Sequence, residues 1–179
     1  MTRPRALTAF AALLGCAAPG TGLPPLRTVE RVDLARYAGT WYEIATIPQG
    51  FQKGCVGVTA TYTLRPDGEV EVVNRCRTER LDGPERSVTG RAWVVDPASN
   101  AKLKVSFFWP FRGDYWVIDL DPDYAWAVVG HPGRSYCWVL SRAPRMEEAT
   151  FEGILSRLRE QGYDTGRLVR TPQPPQPTG

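Results

Sequence analysis

Short runs of β-branched and aromatic residues recur between residues 40 and 142, separated by segments rich in Gly, Pro, Asp and Asn. In the second run Val58, Ala60 and Tyr62 alternate with threonines, and the fifth run alternates in a similar way. This period of two is typical of antiparallel strands with one dry face and one wet face. Eight runs are predicted as strands: residues 40–47, 55–65, 69–76, 87–95, 102–108, 114–121, 124–130 and 135–142.

The links between these predicted strands are short and carry turn signals. Residues 66–68 (Pro-Asp-Gly) and 96–100 (Asp-Pro-Ala-Ser-Asn) favour turns, because Pro sets φ and Gly or Asn accepts a positive φ. Short links join neighbouring antiparallel strands, and closing eight such strands on themselves removes the exposed edges. We therefore predict an all-β fold, an eight-stranded antiparallel up-and-down barrel, whose interior is filled by side chains or holds one small ligand.

The period changes after the last predicted strand. Residues 146–161 predict a helix that Gly162 terminates. Apolar side chains recur at helical spacing, at Phe151, Ile154, Leu155 and Leu158. One apolar stripe packs against one surface, so we expect this helix on the outside of the barrel.

The N-terminus carries the pattern of an export signal. Two arginines precede an apolar run at residues 6–14, which is about half of the ~20 residues needed to cross a bilayer. The segment Leu-Leu-Gly-Cys ending at Cys16 resembles a bacterial lipobox, which implies cleavage of residues 1–15 and acylation of the Cys16 thiol. Bacterial lipoproteins that are retained at the inner membrane have Asp after the acylated cysteine. Ala17 at this position therefore implies that the protein is sorted to the outer membrane, on its periplasmic side. An ordinary signal peptide and a buried N-terminal helix are the alternatives.

Composition adds three constraints. The chain has 179 residues, 42% of them hydrophobic, which suits one globular domain. The net charge of +3 comes with no run of Lys or Arg, which argues against nucleic-acid binding. One His and four Cys without CxxC or HExxH spacing predict no metal site and no cofactor.

Residues 16–28, rich in Gly and Pro, are predicted as a tether, and residues 171–179 as a disordered Pro-rich tail.

Three segments together resemble the signatures of the lipocalin family. Residues 32–45 resemble a helical turn leading into Gly39-Thr40-Trp41, residues 121–124 (Asp-Pro-Asp-Tyr) resemble the second signature, and Arg142 closes the last predicted strand. The resemblance covers about residue 30 to about residue 168, in particular to bacterial outer-membrane lipocalins and apolipoprotein D. It implies a lipocalin barrel and helix at residues 29–170.

The resemblance assigns Gly39, Trp41 and Arg142 a structural role. Trp41 is expected to fill the closed end of the barrel, with the Arg142 guanidinium over its indole. Such a cation–π contact contributes about 0.5–2 kcal/mol, depending on burial.

The resemblance also implies a disulfide between Cys55 and Cys76. Alternation places Cys55 on the outer face and Cys76 on the inner face, so the bridge needs a bulge, which Gly54 or Gly57 can supply. Cys137 is then expected to be a buried free thiol that faces the helix.

The function implied is that of a binding protein, with a fatty acid or lysophospholipid held in an apolar cup. The predicted lining residues are Ala60, Tyr62, Val105, Phe107, Tyr136, Trp138 and Leu140. Because this wall has no Lys, Arg or His, we expect the charged head of the ligand to stay at the mouth, near Arg112 or Trp109.

Two other functions stay open at this point. An enzyme on the same barrel would use Glu43, His131, Asp119 or Asp121, although the sequence reveals no nucleophile with a base and an orienting group. A structural or interaction protein would have a filled barrel. In such a protein residues 109–111 (Trp-Pro-Phe) are expected to form a lip over the cup, a membrane contact or a homodimer patch.

The lipobox assignment predicts that Cys16→Ser releases the protein from the membrane fraction, because the apolar run is too short to serve as a stable anchor. The measurement is fractionation of cells that express each form, with a high-salt wash of the membranes. A variant that still sediments with washed membranes would contradict the assignment.

Overall fold

The computed structural model describes residues 22–175, and its backbone is dominated by antiparallel strands. Eight strands form the main sheet: β1 (Gly39–Thr46), β2 (Cys55–Leu64), β3 (Val70–Thr78), β4 (Glu85–Val94), β5 (Lys102–Phe108), β6 (Phe111–Leu120), β7 (Trp126–Gly130) and β8 (Cys137–Ser141). A short helix α1 (Leu34–Tyr37) precedes them, and a longer helix α2 (Glu148–Glu160) follows them.

The sheet closes into a barrel. Each strand pairs with the next in sequence, and β1 pairs with both β2 and β8. The predicted eight-stranded up-and-down barrel with a C-terminal helix is thus confirmed. A ninth strand, β9 (Val169–Arg170), was not predicted; it pairs with Ala45 and Thr46 of β1, along the edge that β2 leaves after Tyr42.

Predicted and observed strand limits differ most around β6. The strand begins at Phe111 rather than residue 114, because Phe111 pairs with Phe108 across the tight turn at Trp109 and Pro110. The predicted seventh strand begins two residues late in the structure, since Tyr124 adopts a turn conformation with φ +62°.

Two apolar cores lie on the two sides of the sheet. The inner core fills the barrel around Trp41, Tyr62 and Leu140. The outer core joins Phe151, Ile154 and Leu158 of α2 to the outward side chains of β1, β7 and β8. The helix therefore packs outside the barrel, as its single apolar stripe predicts.

The two ends of the barrel differ. The closed end carries α1 and the links at residues 65–69, 95–101 and 121–125. Asp33 caps α1 by accepting hydrogen bonds from the backbone N–H groups of Ala35 and Arg36, which holds this turn across the floor. The open end carries four links, at residues 47–54, 79–84, 109–110 and 131–136.

The disulfide between Cys55 and Cys76 is present and depends on a bulge in β2. Val56 pairs with Arg77 and Thr59 with Arg75, so Gly57 and its neighbour together oppose Cys76. Gly57 has φ +60°, a conformation that glycine adopts without strain. The extra residue moves Cys55 to the face of Cys76, and the Cα atoms lie 5.4 Å apart.

The terminal segments are more ordered than predicted. Thr171, in the predicted disordered tail, donates its N–H to Ile44, and the Pro172 carbonyl accepts from the N–H of Gly57. The tail therefore bridges β1 and β2 where these strands separate, and the prediction of disorder is wrong for its first residues. Within the predicted tether at 16–28, the prediction is wrong for the residues around Leu26, because Leu26 is buried in the outer core.

The predicted signal at residues 1–15 and the predicted lipidation site Cys16 lie outside the described residues. Among residues 22–175, no helix is both long enough and apolar enough to cross a membrane.

Candidate ligand-binding site

The floor of the barrel is built from the three signature segments. Trp41 is fully buried, and its indole Nε1 donates to the carbonyl of Tyr37. The Arg142 guanidinium lies 3.8 Å from the centroid of the Trp41 ring. From the second signature, the Tyr124 hydroxyl accepts the N–H of Asp33. Three segments distant in sequence thus meet at the closed end.

Arg142 also binds backbone oxygens. Its Nη2 donates to the carbonyls of Arg36, Tyr37 and Ala38, and its Nη1 donates to that of Thr40. Burial lowers the pKa of Arg142, although a guanidinium remains charged at any physiological pH. This side chain therefore stabilises the junction of α1 and β1.

Most of the predicted lining residues face the barrel interior. Tyr62 and Leu140 are buried in the inner core. The four that lie partly buried against it are Ala60, Val105, Phe107 and Trp138. Tyr136 is the exception: it precedes β8, and its ring stacks on Trp138 with centroids 5.7 Å apart.

Burial of the inward side chains changes along the barrel axis. Near the closed end they are buried, as at Tyr62, Val72, Ala92 and Leu103. Towards the open end burial is mixed: Val58 and Cys76 are buried, whereas Ala60, Asn74, Val88, Val105 and Trp138 are half-buried. The upper half of the barrel is therefore less tightly packed than the lower half, and we call it the cup.

A chain of tyrosine hydroxyls, not predicted from the sequence, crosses the packed half. The Tyr115 hydroxyl lies 2.9 Å from that of Tyr37 and 2.8 Å from that of Tyr62. Burial raises the pKa of Tyr62 to about 12, so the hydroxyls stay neutral at physiological pH. In the sixth run apolar residues occupy both alternating sets, so its sequence could not identify Tyr115 as an inward residue.

Glu43 places a carboxyl group inside the barrel wall. It is 4% exposed; Gln52 donates to its Oε2 at 2.8 Å, and the Thr171 hydroxyl donates to its Oε1. Gln52 in turn accepts from the indole Nε1 of Trp138 at 3.2 Å. Alternation from Trp41 had suggested that Glu43 points inward, but both of its partners lie outside the strands and had no sequence signal.

Burial raises the pKa of Glu43, while the hydrogen bonds from Thr171 and Gln52 lower it. Desolvation is the larger of these effects, which favours the neutral acid. The polar network beside Trp138 therefore adds hydrogen-bonding groups to the wall of the cup without a fixed positive charge.

Two concave spaces differ in character. A cavity of about 20 Å³ in the floor, beside Tyr37 and Tyr115, has room for about one water molecule and none for an acyl chain. A groove of about 490 Å³ lies on the outer face of β3 to β5, and Glu69, Glu71 and Arg91 give it a charged lining. Neither space has the size and apolar character needed for a lipid tail.

The candidate enzyme residues do not form a catalytic set. The Ser135 hydroxyl lies 3.3 Å from His131 Nδ1, but this nitrogen already accepts the N–H of Gly133 at 3.0 Å. Asp114 is 3.9 Å from His131 Nε2, beyond hydrogen-bond distance, and pairs with Lys104 instead. A neutral histidine has one ring nitrogen that can accept a proton, and in His131 this nitrogen, Nδ1, already accepts the hydrogen bond from Gly133.

The other candidate catalytic side chains, Cys137, Asp119 and Asp121, also lie outside the cup. Cys137 is buried in the outer core beside α2, and burial raises the pKa of its thiol to about 12. Asp119 pairs with Arg157 of α2, and Asp121 caps the turn at the closed end. Across residues 22–175, no group of three or more His, Cys, Asp or Glu side chains is arranged to hold a metal ion.

Comparison with protein families matches residues 32–173 to the lipocalin-like domain. Temperature-induced lipocalin-1 of Arabidopsis thaliana is 43% identical over 157 residues, which cover 83% of each chain. The outer membrane lipoprotein Blc of Escherichia coli K12 is 38% identical over 175 residues, covering 94% of each chain. Apolipoprotein D of Bos taurus is 32% identical and covers 84% of this chain and 80% of its own.

Solved structures show the same fold. Insecticyanin from the tobacco hornworm Manduca sexta superposes with a TM-score of 0.66 at 21% identity, covering 86% of this chain and 87% of its own. Lobster apocrustacyanin A1 superposes with a TM-score of 0.62 at 19% identity, covering 79% of each chain.

The buried carboxyl predicts a specific dependence of stability on pH. Because folding raises the pKa of Glu43 above 4.5, its contribution to stability is complete below that pH and is lost as pH rises through the folded value. Urea unfolding should therefore show the wild type losing stability between pH 4.5 and neutrality relative to Glu43→Gln. Each tenfold difference in proton affinity between the folded and unfolded chains corresponds to about 1.4 kcal/mol.

The control for this measurement is Glu152→Gln, on the exposed face of α2, which makes the same change in net charge. A pH-independent difference in stability between wild type and Glu43→Gln would refute the prediction.

Proposed function

This chain belongs to the lipocalin family, and on that premise we propose that it is an outer-membrane lipoprotein that holds a fatty acid or lysophospholipid in its barrel. Lipocalins are generally binding and transport proteins. The proposed role is storage or transport of a lipid during maintenance of the membrane. The relatives named as outer membrane lipoproteins and the lipobox at Cys16 support the location.

The observation that carries the proposal is the gradient of burial along the barrel axis. Inward side chains are packed near the floor, whereas most of those above it are only half-buried, and these are mainly apolar. A cup with an apolar wall and a few polar groups is the usual form of a small-molecule site. A barrel filled to its rim would bury Ala60 and Val105 as fully as Val72.

The polar groups of the cup favour a ligand that enters tail first. The Tyr37, Tyr62 and Tyr115 hydroxyls are hydrogen-bonded to one another at the floor. A carboxylate or phosphate lowered into the barrel would approach Glu43 and find no Lys, Arg or His among the predicted wall residues. Loss of hydration without a counter-charge costs several kcal/mol. At the mouth, by contrast, Arg112 and Lys53 are exposed.

Trp138 is the best reporter of ligand binding. Its ring is half-buried on the inner face of β8 and is oriented by Gln52 and by stacking on Tyr136. A long-chain fatty acid should change its fluorescence, and Trp138→Ala should weaken binding by about 1–3 kcal/mol. Trp126→Ala, near the closed end where Arg157 covers the ring, is the matched control and should bind normally. Equal affinity of Trp138→Ala and wild type would place the ligand elsewhere.

The orientation of the ligand can be tested by calorimetry. With the head at the mouth, a lysophospholipid should bind at least as tightly as a free fatty acid of the same chain length, because its bulky head stays in water in both states. Titrations with matched acyl chains measure this difference. If free acids bind more than about tenfold tighter, equal to about 1.4 kcal/mol, a tail-first orientation is wrong.

A further inference from the structure

The large apolar side chains with the highest exposure are gathered at one end of the barrel. Trp109 and Phe111 are each 77% exposed, Phe108 is 70% exposed and Phe51 is 64% exposed. All four lie on or beside links of the open end, and we call them the aromatic rim. At the closed end, Leu64 and Val95 are exposed by only 40% and 47%.

The local structure of the rim keeps these rings in solvent. Phe108 and Phe111 pair at the end of the β5–β6 hairpin, and Trp109 occupies the turn between them. The Ser106 hydroxyl donates to the carbonyl of Phe111 at 2.7 Å, which stabilises the hairpin tip. The three rings of this hairpin are therefore carried on a turn that this hydrogen bond braces, and each is at least 70% exposed.

Basic side chains accompany the exposed rings. The Arg112 guanidinium lies 5.5 Å from the Trp109 ring centroid, and exposed Lys53 follows Phe51 by two residues. Arg86, at the start of β4, is exposed at the same end. Trp and Phe with adjacent Lys and Arg are typical of surfaces that lie in the interface of an anionic bilayer.

The N-terminal segment reaches the body of the protein at this same end. Arg134, in the open-end link at residues 131–136, donates to the carbonyls of Pro24 and Pro132. Leu23 lies beside Gly162, just after α2. From there the chain runs along the outside to the closed end, where the N–H of Val32 binds the carbonyl of Ser99.

The chain between this point and the proposed anchor is short. Five residues, 17–21, separate Cys16 from Gly22. At about 3.3–3.6 Å per residue, a fully extended segment of this length spans about 20 Å. An acylated Cys16 would therefore hold the open end close to the bilayer. The closed end lies further from Cys16 by the length of the barrel.

We propose that the open end docks on the bilayer, with the aromatic rim inserted into the headgroup region of anionic lipids. This inference rests on the proposed lipid anchor for its geometry. It gives the cup a direct exchange path, because a lipid tail can pass from the bilayer to the barrel without crossing water.

A second copy of the chain fits the rim less well. In a symmetric contact between two open ends, each patch meets its own copy. Such a contact would gather Arg112 and Lys53 of both copies in one interface, with Glu79 and Asp82 of the neighbouring link as the nearby acidic groups, and crowding of the basic side chains disfavours it. An anionic lipid surface instead supplies the opposite charge to these side chains.

Quenching by brominated lipids tests the orientation. The purified full chain is reconstituted into phosphatidylethanolamine and phosphatidylglycerol vesicles that contain phospholipid brominated near the headgroup. Tryptophan emission of wild type, Trp109→Phe and Trp126→Phe is then compared, since the chain has six tryptophans. We expect quenching in wild type and in Trp126→Phe, and loss of most of it in Trp109→Phe, which keeps an apolar ring at the rim.

Partition of protein that lacks the anchor provides a second measurement. Cys16→Ser protein mixed with excess vesicles should bind about tenfold more weakly when Phe108, Trp109 and Phe111 are all changed to Ser. The matched control changes Leu64 and Val95, the exposed apolar residues of the closed end, to Ser and should leave partition unchanged. Near-ultraviolet circular dichroism checks that each variant is folded.

The outcomes separate this inference from the proposed function. Equal quenching in wild type and Trp109→Phe overturns the docking proposal, and so does a rim that forms dimers without lipid while Trp109 remains unquenched. If mass spectrometry finds no acyl chain on Cys16, the proposed anchor is contradicted. The contribution of the rim to membrane binding can still be measured by the partition experiment. Absence of fatty-acid binding would contradict the ligand proposal and leave the orientation result intact.

Discussion

The contact between Arg142 and Trp41 is the constraint on which the closed barrel depends. The guanidinium covers the indole and binds the carbonyls of Arg36, Tyr37, Ala38 and Thr40. One side chain after β8 thereby fixes α1 and the first residues of β1, the strand that must pair with both β2 and β8. Because closure leaves the main sheet without a free edge, the barrel is protected from pairing with other chains.

Because the closed end of the barrel is sealed, a ligand can enter or leave the interior only through the open end. The floor is packed around Trp41 and the tyrosine hydroxyls, so a ligand has room only above them. The same open end carries the exposed aromatic rings and receives the N-terminal segment through Arg134. The proposed binding cup, lipid-facing rim and anchor at one end are consistent with a protein that takes its ligand from a membrane.

The wall of the cup also depends on the C-terminal segment. β1 leaves β2 after Tyr42, and residues 171–173 occupy the gap, with the Gln173 amide donating to the carbonyls of Glu43 and Val58. Thr171 reaches the Glu43 carboxyl from the same segment. Burying that carboxyl is costly, and these contacts, with Gln52, offset part of the cost. Residues 171–173 are therefore part of the barrel wall.

The sequence by itself determined the features that arise from local periodicity and turn chemistry. Alternation predicted the eight strands and the inward side of Tyr62 and Leu140, and helical spacing predicted α2. Parity even identified the need for a bulge beside Cys55, because a bridge to Cys76 was impossible without one. These properties follow from the period-two geometry of a strand, which acts over a few residues.

Only the tertiary structure decided the contacts between segments distant along the chain. The tyrosine chain joins residues 37, 62 and 115, and the Glu43 network joins residues 52, 138 and 171. Composition suggested a disordered tail from residue 171, yet the gap between β1 and β2 binds it through backbone groups that no local pattern records. Such contacts have no period, since they depend on which surfaces the closed barrel brings within hydrogen-bond distance.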